Sequence, residues 1–350
     1  MDKTVNKKKV AVALSGGVDS SVTCYLLKER GYDVVGITAK MLDNDDFLQV
    51  VNNAKAVCEK LDIPHYVLDL SVDFKKYVTD YFDESYKNGI TPNPCVICNK
   101  KIKWGKIFDY AMNELNCDYF ATGHYAQIKN INGKSILYPA KDEKKDQLYY
   151  LTCVSQECLA KTIFPLSDYT KDEIRKIAED NDLPSKSAKE SQDTCFISKS
   201  ETTKKYLNKK FKQQKGNFVL RKENKTVGTH NGYFEYTIGQ RKGIGIAYKE
   251  PLYVTDIDTD KNIVYLGTKD ELLTSTCKVK NVNYYSSLND GDEVLAKIRY
   301  NTEAAPAKVN LTQQGLELMF KDKVSAVAKG QYCVIYDKEE KFLIAGGEIE

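Results

Sequence analysis

The sequence has almost no excess of either charge. Its 52 Lys and Arg stand against 49 Asp and Glu, a net charge of +3. A strong global field for nucleic acid is therefore excluded, although a local basic patch is not. No apolar run approaches the roughly 20 residues that cross a bilayer. The N-terminus lacks a leader pattern: Lys7, Lys8 and Lys9 precede an apolar stretch, Val10 to Leu14, too short for a signal h-region. The chain is accordingly expected to be soluble and cytoplasmic, with no membrane partner. Neither an internal repeat nor a low-complexity tract is present. Histidine is scarce, with only His65, His124 and His230.

What is present fits two or three domains, because the chain has 350 residues and 42% of them are hydrophobic. Ten cysteines occur. Without a secretory signal they read as reduced thiols, with a subset catalytic or metal-binding. Cys24, Cys58 and Cys117 read as small buried hydrophobes.

The first half alternates in character. Strands are expected at Lys9 to Leu14, Asp33 to Thr38, His65 to Asp69 and Tyr119 to Thr122. Helices are expected at Ser20 to Arg30, Phe47 to Leu61 and Lys103 to Leu115. That alternation predicts an α/β fold with a parallel sheet and a ligand site beyond the strand C-termini. After residue 200 the pattern changes. Residues 199–215 hold seven lysines and one glutamate, a candidate phosphate-contact surface or a solvated helix face. A Gly-rich stretch, Gly228 to Gly245, follows. From Leu252 short β-branched and aromatic runs alternate with turns, which predicts a small C-terminal β-barrel. The expected boundaries are 1–200 for the α/β domain, 201–270 for a small central domain, and 271–350 for the barrel.

Ala13-Leu14-Ser15-Gly16-Gly17-Val18-Asp19-Ser20-Ser21 follows the first strand and opens the first helix. Small residues let the backbone close around an anion, which then meets the amides of the turn and the helix dipole. Asp19 is odd beside a phosphate unless it caps the helix or holds Mg²⁺. The string lacks the Gly-Lys-Ser/Thr of a Walker loop and the glycine spacing of a dinucleotide loop. It resembles the PP-loop ATP pyrophosphatases, which implies cleavage of ATP between the α- and β-phosphates and adenylation of a substrate oxygen.

Thr91-Pro92-Asn93-Pro94-Cys95-Val96-Ile97-Cys98-Asn99-Lys100 reads as a proline-stiffened loop entering a helix. Cys95 and Cys98 have the spacing of a redox pair or of two ligands to one metal centre. Their thiols, near a helix N-terminus and Lys100 and Lys101, are expected to ionise easily. Cys195 sits in the polar string Glu190-Ser191-Gln192-Asp193-Thr194 before Phe196-Ile197, as in an exposed loop entering structure.

Together these strings resemble the tRNA-specific 2-thiouridylases (MnmA/TrmU family) along essentially the whole chain. Further matches are Ala121-Thr122-Gly123-His124-Tyr125, Lys145-Asp146-Gln147, Tyr236-Thr237-Ile238-Gly239-Gln240-Arg241-Lys242-Gly243, Arg299-Tyr300 and Gly330-Gln331. The resemblance implies that Mg-ATP sits on Ala13, Leu14, Ser15, Gly16, Gly17, Val18, Asp19 and Ser20, with Ala39 and Gly123 also lining the site. It implies that the wobble uridine of tRNA is presented near Asn93, Pro94 and Cys95. It implies a persulfide carrier at Cys195, a second catalytic cysteine at Cys98, and tRNA contacts at His124, Lys145, Asp146, Gln147, Arg299, Tyr300 and Gln331. The product would be 2-thiouridine, with AMP and pyrophosphate. Glutamate, glutamine and lysine tRNAs would be the acceptors, and a cysteine desulfurase or sulfur-relay protein the donor. His124 can equally be a hydrogen-bonded structural residue, and His65 and His230 read as structural.

Two positions depart from the family. Cys95 stands where many members have aspartate, and Ala39 where methionine or leucine is common. Ala39 should loosen packing on the adenine. Cys95 creates a three-thiol set with Cys98 and Cys195. Three thiolates suffice for a [4Fe-4S] cluster with one open iron, so the persulfide and cluster routes both stand, with Cys95 tilting toward the cluster. Two other classes remain. A different PP-loop synthetase adenylating a small metabolite would need no cysteine pair. A tRNA-binding protein with an inactive loop would neither bind ATP nor form pyrophosphate.

Overall fold

The structure is a computed structural model and describes residues 7–188, 194–198 and 200–350. The chain divides into two compact units. One holds residues up to Val78, Cys95–Gln192 and Lys341–Leu343; the other holds Thr79–Pro94, Asp193–Glu340 and Ile344–Glu350.

The first unit is built on a five-stranded sheet. Its strands are β1 (Lys9–Ala13), β2 (Asp33–Lys40), β3 (His65–Asp69), β4 (Tyr119–Ala121) and a short fifth strand (Thr162–Ile163), all parallel in their pairings. The order is β3-β2-β1-β4 and then the short strand. β1 is central and fully apolar between its ends, as a strand covered on both faces must be. Helices α1 (Val18–Glu29) and α2 (Asp45–Leu61), with the later helix Lys171–Asp180, put Val22, Leu26, Leu27, Ala54, Val57, Ile174 and Ala178 into one core with Val10 and Val12. The chain leaves β1 toward β2 on one side, while β4 lies on the other, so a topological switch point falls between β1 and β4. Crevices at such points are where open α/β sheets bind ligands. The expected parallel α/β architecture is therefore present.

The expected helix Lys103 to Leu115 differs in kind. Pro94–Cys98 is already α-helical, Asn99–Ile107 is a π-helix, and Phe108–Asn113 returns to α. Proline is well suited to a first helical position, since its missing N–H has no intrahelical partner there. The loop expected from Thr91 to Lys100 thus stops at Asn93, and the helix begins well before the expected Lys103. Residues 127–138 add a two-stranded hairpin that alternation alone did not reveal.

The second unit carries a four-stranded sheet, from Gly216–Leu220, Lys225–His230, Tyr253–Asp258 and Ile263–Gly267. It also carries a closed six-stranded barrel formed between Leu273 and Ile349. Closure removes exposed strand edges, and the C-terminal barrel the sequence predicts is present, but it starts at Leu273: Tyr253–Asp258 and Ile263–Gly267, read from Leu252 onward as barrel strands, pair instead into the four-stranded sheet. The barrel core includes Cys277, Leu318, Val334 and Ile335.

Candidate functional site: phosphate loop and cysteines

Ser15 to Ser20 lies at the switch point. Gly17 is the N-cap of α1 and contributes no side chain to the cap. The first amides of α1 are thus left for an anion, as helix N-termini allow. The hydroxyls define the loop from within. Ser20 Oγ and Ser21 Oγ donate to the Gly17 carbonyl at 3.1 and 2.8 Å, and the Ser15 amide donates to Ser20 Oγ at 3.2 Å. Gly16 has φ +71, and a Cβ there would lie 2.7 Å from Asn53 Cβ on α2. Glycine is therefore required twice over at this position. Gly123, just past β4, meets the same loop: a Cβ would lie 2.9 Å from Asp19 C and Ser20 N. Two strand ends thus close on one loop. Ala39 is buried in β2, in register with Leu68 of β3.

The Asp19 side chain does not cap α1. Its carboxylate accepts from Lys171 Nζ at 2.7 and 2.8 Å and from Tyr125 Oη at 2.8 Å. Lys171 is the first residue of its helix, whose N-cap Thr170 forms a capping box with Glu173. Its side chain is only 8% exposed. Tyr125 extends the network, because its amide donates to Gln147 Oε1 and its carbonyl accepts from the Gln147 amide. Sequence reading missed Lys171, which lies 152 positions from Asp19. Its only local sign was a lysine behind a Thr-x-x-Glu cap.

Cys95 and Cys98 share the helix Pro94–Cys98, three residues apart and so on one face. Cys95 is exposed and Cys98 buried. Both thiols are pushed up, not down. Burial raises Cys98 to about 11; Lys103 opposes this and Cys95 adds to it. Burial likewise raises Cys95, against Lys103, and because Cys95 keeps surface to solvent we take Cys98 as the more strongly affected. The expectation of easily ionised thiols is corrected: burial outweighs the helix end, and the lysine that acts is Lys103, not Lys100 or Lys101.

His124 is buried, with Nδ1 2.7 Å from Thr122 Oγ1 and Nε2 3.4 Å from Lys103 Nζ. Burial and then Lys103 hold its pKa well below the usual histidine value. It is a neutral ring within the first unit. Lys145 ends a short 3-10 helix, and Asp146 accepts from the Leu148 amide at 3.4 Å.

In the second unit Cys195 is exposed, while its neighbours anchor it. Phe196 packs edge-on against Phe82 at 5.1 Å and Tyr206 at 5.8 Å, and Ile197 joins Phe82, Leu207 and Phe234 in a small core. The polar string Glu190 to Asp193 lies outside the described residues, as does Lys199. Of the lysine-rich stretch, Lys204 pairs with Glu235, Lys209 with Glu201 and Lys210 with Asp83. Three of its seven lysines are thus paired within the unit. Arg299 Nη2 donates to the Ile238 carbonyl at 2.7 Å, and Tyr300 carries Lys297 over its ring. Pro92 and Asn93 are buried and Pro94 is half-buried. Gln331 Nε2 donates to the Thr91 and Pro92 carbonyls, each at 3.1 Å.

Among the described residues no three His, Cys, Asp or Glu side chains come together as metal ligands. No helix among the described residues is long and apolar enough to cross a membrane.

Comparison with known proteins adds to this geometry. A family model described as a tRNA methyl transferase HUP domain matches residues 8–199. Models described as a tRNA methyl transferase PRC-barrel domain and an aminomethyltransferase beta-barrel domain match 204–268 and 274–349. The tRNA-specific 2-thiouridylase MnmA 2 of Clostridium botulinum strain Okra is 42% identical, spanning 98% of this chain and 99% of the relative. MnmA 1 of strain Hall is also 42% identical, with the same coverage. Among solved structures, the U34-tRNA thiolase NcsA of Methanococcus maripaludis with its [4Fe-4S] cluster matches at 25% identity and a TM-score of 0.37, over 56% of this chain and 63% of that one.

Proposed function

Since the chain belongs to the tRNA-specific 2-thiouridylase family, we propose that it is an ATP-dependent sulfurtransferase that makes 2-thiouridine at the wobble position of tRNA. The observation that carries this reading is the α1 N-terminus, left open by Gly17 and met by Gly123 at the β1/β4 switch point. Mg-ATP is a substrate that enters there with its own metal ion. The C2 oxygen of the uridine attacks the α-phosphate and pyrophosphate leaves. Loop amides and the α1 dipole stabilise the charge that develops on the phosphate.

Sulfur then arrives from Cys195, whose exposure suits loading by a cysteine desulfurase or relay protein. The terminal sulfur of a Cys195 persulfide bonds to C2 and AMP leaves with its electron pair. The Cys98 thiolate attacks the inner sulfur of Cys195. The persulfide S–S bond breaks, a Cys98–Cys195 disulfide forms, and the electron pair stays on the C2 sulfur as 2-thiouridine. An external thiol must then reduce the disulfide. Cys98, pushed up to about 11, requires its proton to be removed when substrate is in place.

The sequence also allowed a cluster route. A cluster would need the thiolates of Cys95, Cys98 and Cys195 around one centre; we follow the persulfide route because an exposed Cys195 is open to loading by a sulfur donor. Anaerobic purification with iron and sulfide analysis tests the choice: an iron-free protein that thiolates tRNA supports the persulfide route, and stoichiometric iron and sulfide overturns it. Glutamate, glutamine and lysine tRNAs are the proposed acceptors. In single turnover, Cys195→Ala should release pyrophosphate on tRNA but form no 2-thiouridine. Normal thiolation by that variant would refute the assignment.

A further inference from the structure

The loop proposed to present the base, Thr91 to Pro94, is held from far along the chain. Gln331 Nε2 donates to both the Thr91 and the Pro92 carbonyl at 3.1 Å. A primary amide has two N–H bonds, and these two carbonyls match both. The Thr91 amide in turn donates to the Lys329 carbonyl at 3.0 Å. Between these bonds lies Gly330, with φ +83, where a Cβ would overlap Ile90 and lie 3.0 Å from the Thr91 carbonyl. Only glycine allows this approach. The turn is fixed to the last barrel strand as well: the Gly330 amide donates to the Ile349 carbonyl at 3.0 Å, and the Ile349 amide donates to the Gln331 carbonyl at 2.8 Å. Every one of these residues belongs to the second unit.

A residue whose side-chain donors are directed at two backbone carbonyls is poorly placed to spend them on RNA. Pro92 and Pro94 stiffen the loop but remove two of its own donors. Its carbonyls therefore need partners from elsewhere, and Gln331 supplies them. Buried carbonyls left unmatched would be costly.

We propose that Gln331 is a positioning residue: with Lys329 and Gly330 it clamps the Thr91–Pro94 loop onto the C-terminal barrel and sets where the uridine is presented. The barrel thereby acts on the chemistry through the loop. The catalytic part of this inference rests on the thiouridylase reading; the clamp does not.

The experiment uses the full chain with Gln331→Glu, which keeps the size but removes both donors, and Gln331→Lys, which restores donors on a chain of similar reach. Hydrogen exchange of a peptide covering residues 88–98 is read beside kcat and KM for tRNA. Loss of two such bonds should speed exchange in that peptide about tenfold in the Glu variant, with wild-type exchange in the peptide covering residues 9–20. The Lys variant should recover most of the protection. The Glu variant should lower kcat with KM for tRNA nearly unchanged. Unchanged exchange in 88–98 overturns the clamp, as does equal exchange in the two variants. A raised KM for tRNA at constant kcat with protected exchange assigns Gln331 to direct RNA contact instead. If the chain thiolates no tRNA at all, the exchange data still decide the clamp while the functional reading fails alone.

Discussion

Lys171 and Asp19 form a two-oxygen ion pair, 2.7 and 2.8 Å, that ties the first residue of one helix to the phosphate loop at the start of another. The lysine side chain is 8% exposed and the aspartate 33%. Breaking a buried pair leaves the surviving charge without its partner, and that cost is larger than the net worth of the intact pair. Lys171→Met should therefore destabilise the protein by about 2–4 kcal/mol and weaken ATP binding, because Asp19 then faces the incoming phosphates uncompensated. Asp19→Asn combined with Lys171→Met should cost less than the sum of the two changes. A double-mutant cycle on thermal unfolding and ATP affinity checks this; additive effects would dissolve the pair as a functional unit.

Gly123→Ala should remove ATP binding while leaving tRNA affinity near wild type. The added methyl would lie 2.9 Å from the backbone of Asp19 and Ser20, and backbone cannot step aside as a flexible side chain can. Isothermal titration with ATP, beside a filter-binding assay with tRNA, separates the two effects. Intact ATP affinity would show that the strand end does not shape the loop.

Cys98 should be alkylated slowly at neutral pH. Its folded pKa of about 11 lies above the ordinary thiol value, so the reactive thiolate is scarce until the pH climbs toward that value. The linked effect on stability has the same sign. The thiol form is favoured by the fold, so this contribution is complete below the unfolded pKa and is lost as pH rises from there through the folded value. Iodoacetamide kinetics at Cys98 from pH 7 to 10, followed by peptide mass spectrometry, give the profile. A plateau below pH 8 would contradict it.

Phe196→Ala should slow sulfur transfer without slowing pyrophosphate release. Phe196 is half-buried between Phe82 and Tyr206, so its loss should cost about 1–3 kcal/mol and release the backbone that carries Cys195. Quench-flow measurement of both products in one reaction reads the split. Equal slowing of the two steps would place Phe196 in general stability instead.

The parts of this fold set by periodicity and short-range spacing could be read from the chain. Val10 to Ala13 read as a buried strand and residues 271–350 as a barrel, whereas Tyr253–Asp258 and Ile263–Gly267 share the barrel's pattern but join the four-stranded sheet. What depends on distant residues could not. Nothing near Asp19 announces Lys171. Nothing in the lysine-rich stretch announces Glu235 and Asp83, which neutralise Lys204 and Lys210. The Cys98 thiol was misjudged because its near neighbours in sequence are cationic, whereas its burial is a tertiary property. The π register of Asn99–Ile107 leaves no periodic mark that composition reveals. The bonds from Gln331 to the Thr91 and Pro92 carbonyls were invisible because those partners lie some 240 positions earlier.

The most direct test is nucleoside mass spectrometry of unmodified glutamate, glutamine or lysine tRNA incubated with the protein, Mg-ATP, cysteine and a cysteine desulfurase. The account predicts 2-thiouridine at the wobble position, with one AMP and one pyrophosphate for each residue formed, and none with Cys195→Ala. Unmodified uridine in all three tRNAs, despite bound ATP and a loaded sulfur donor, would contradict it.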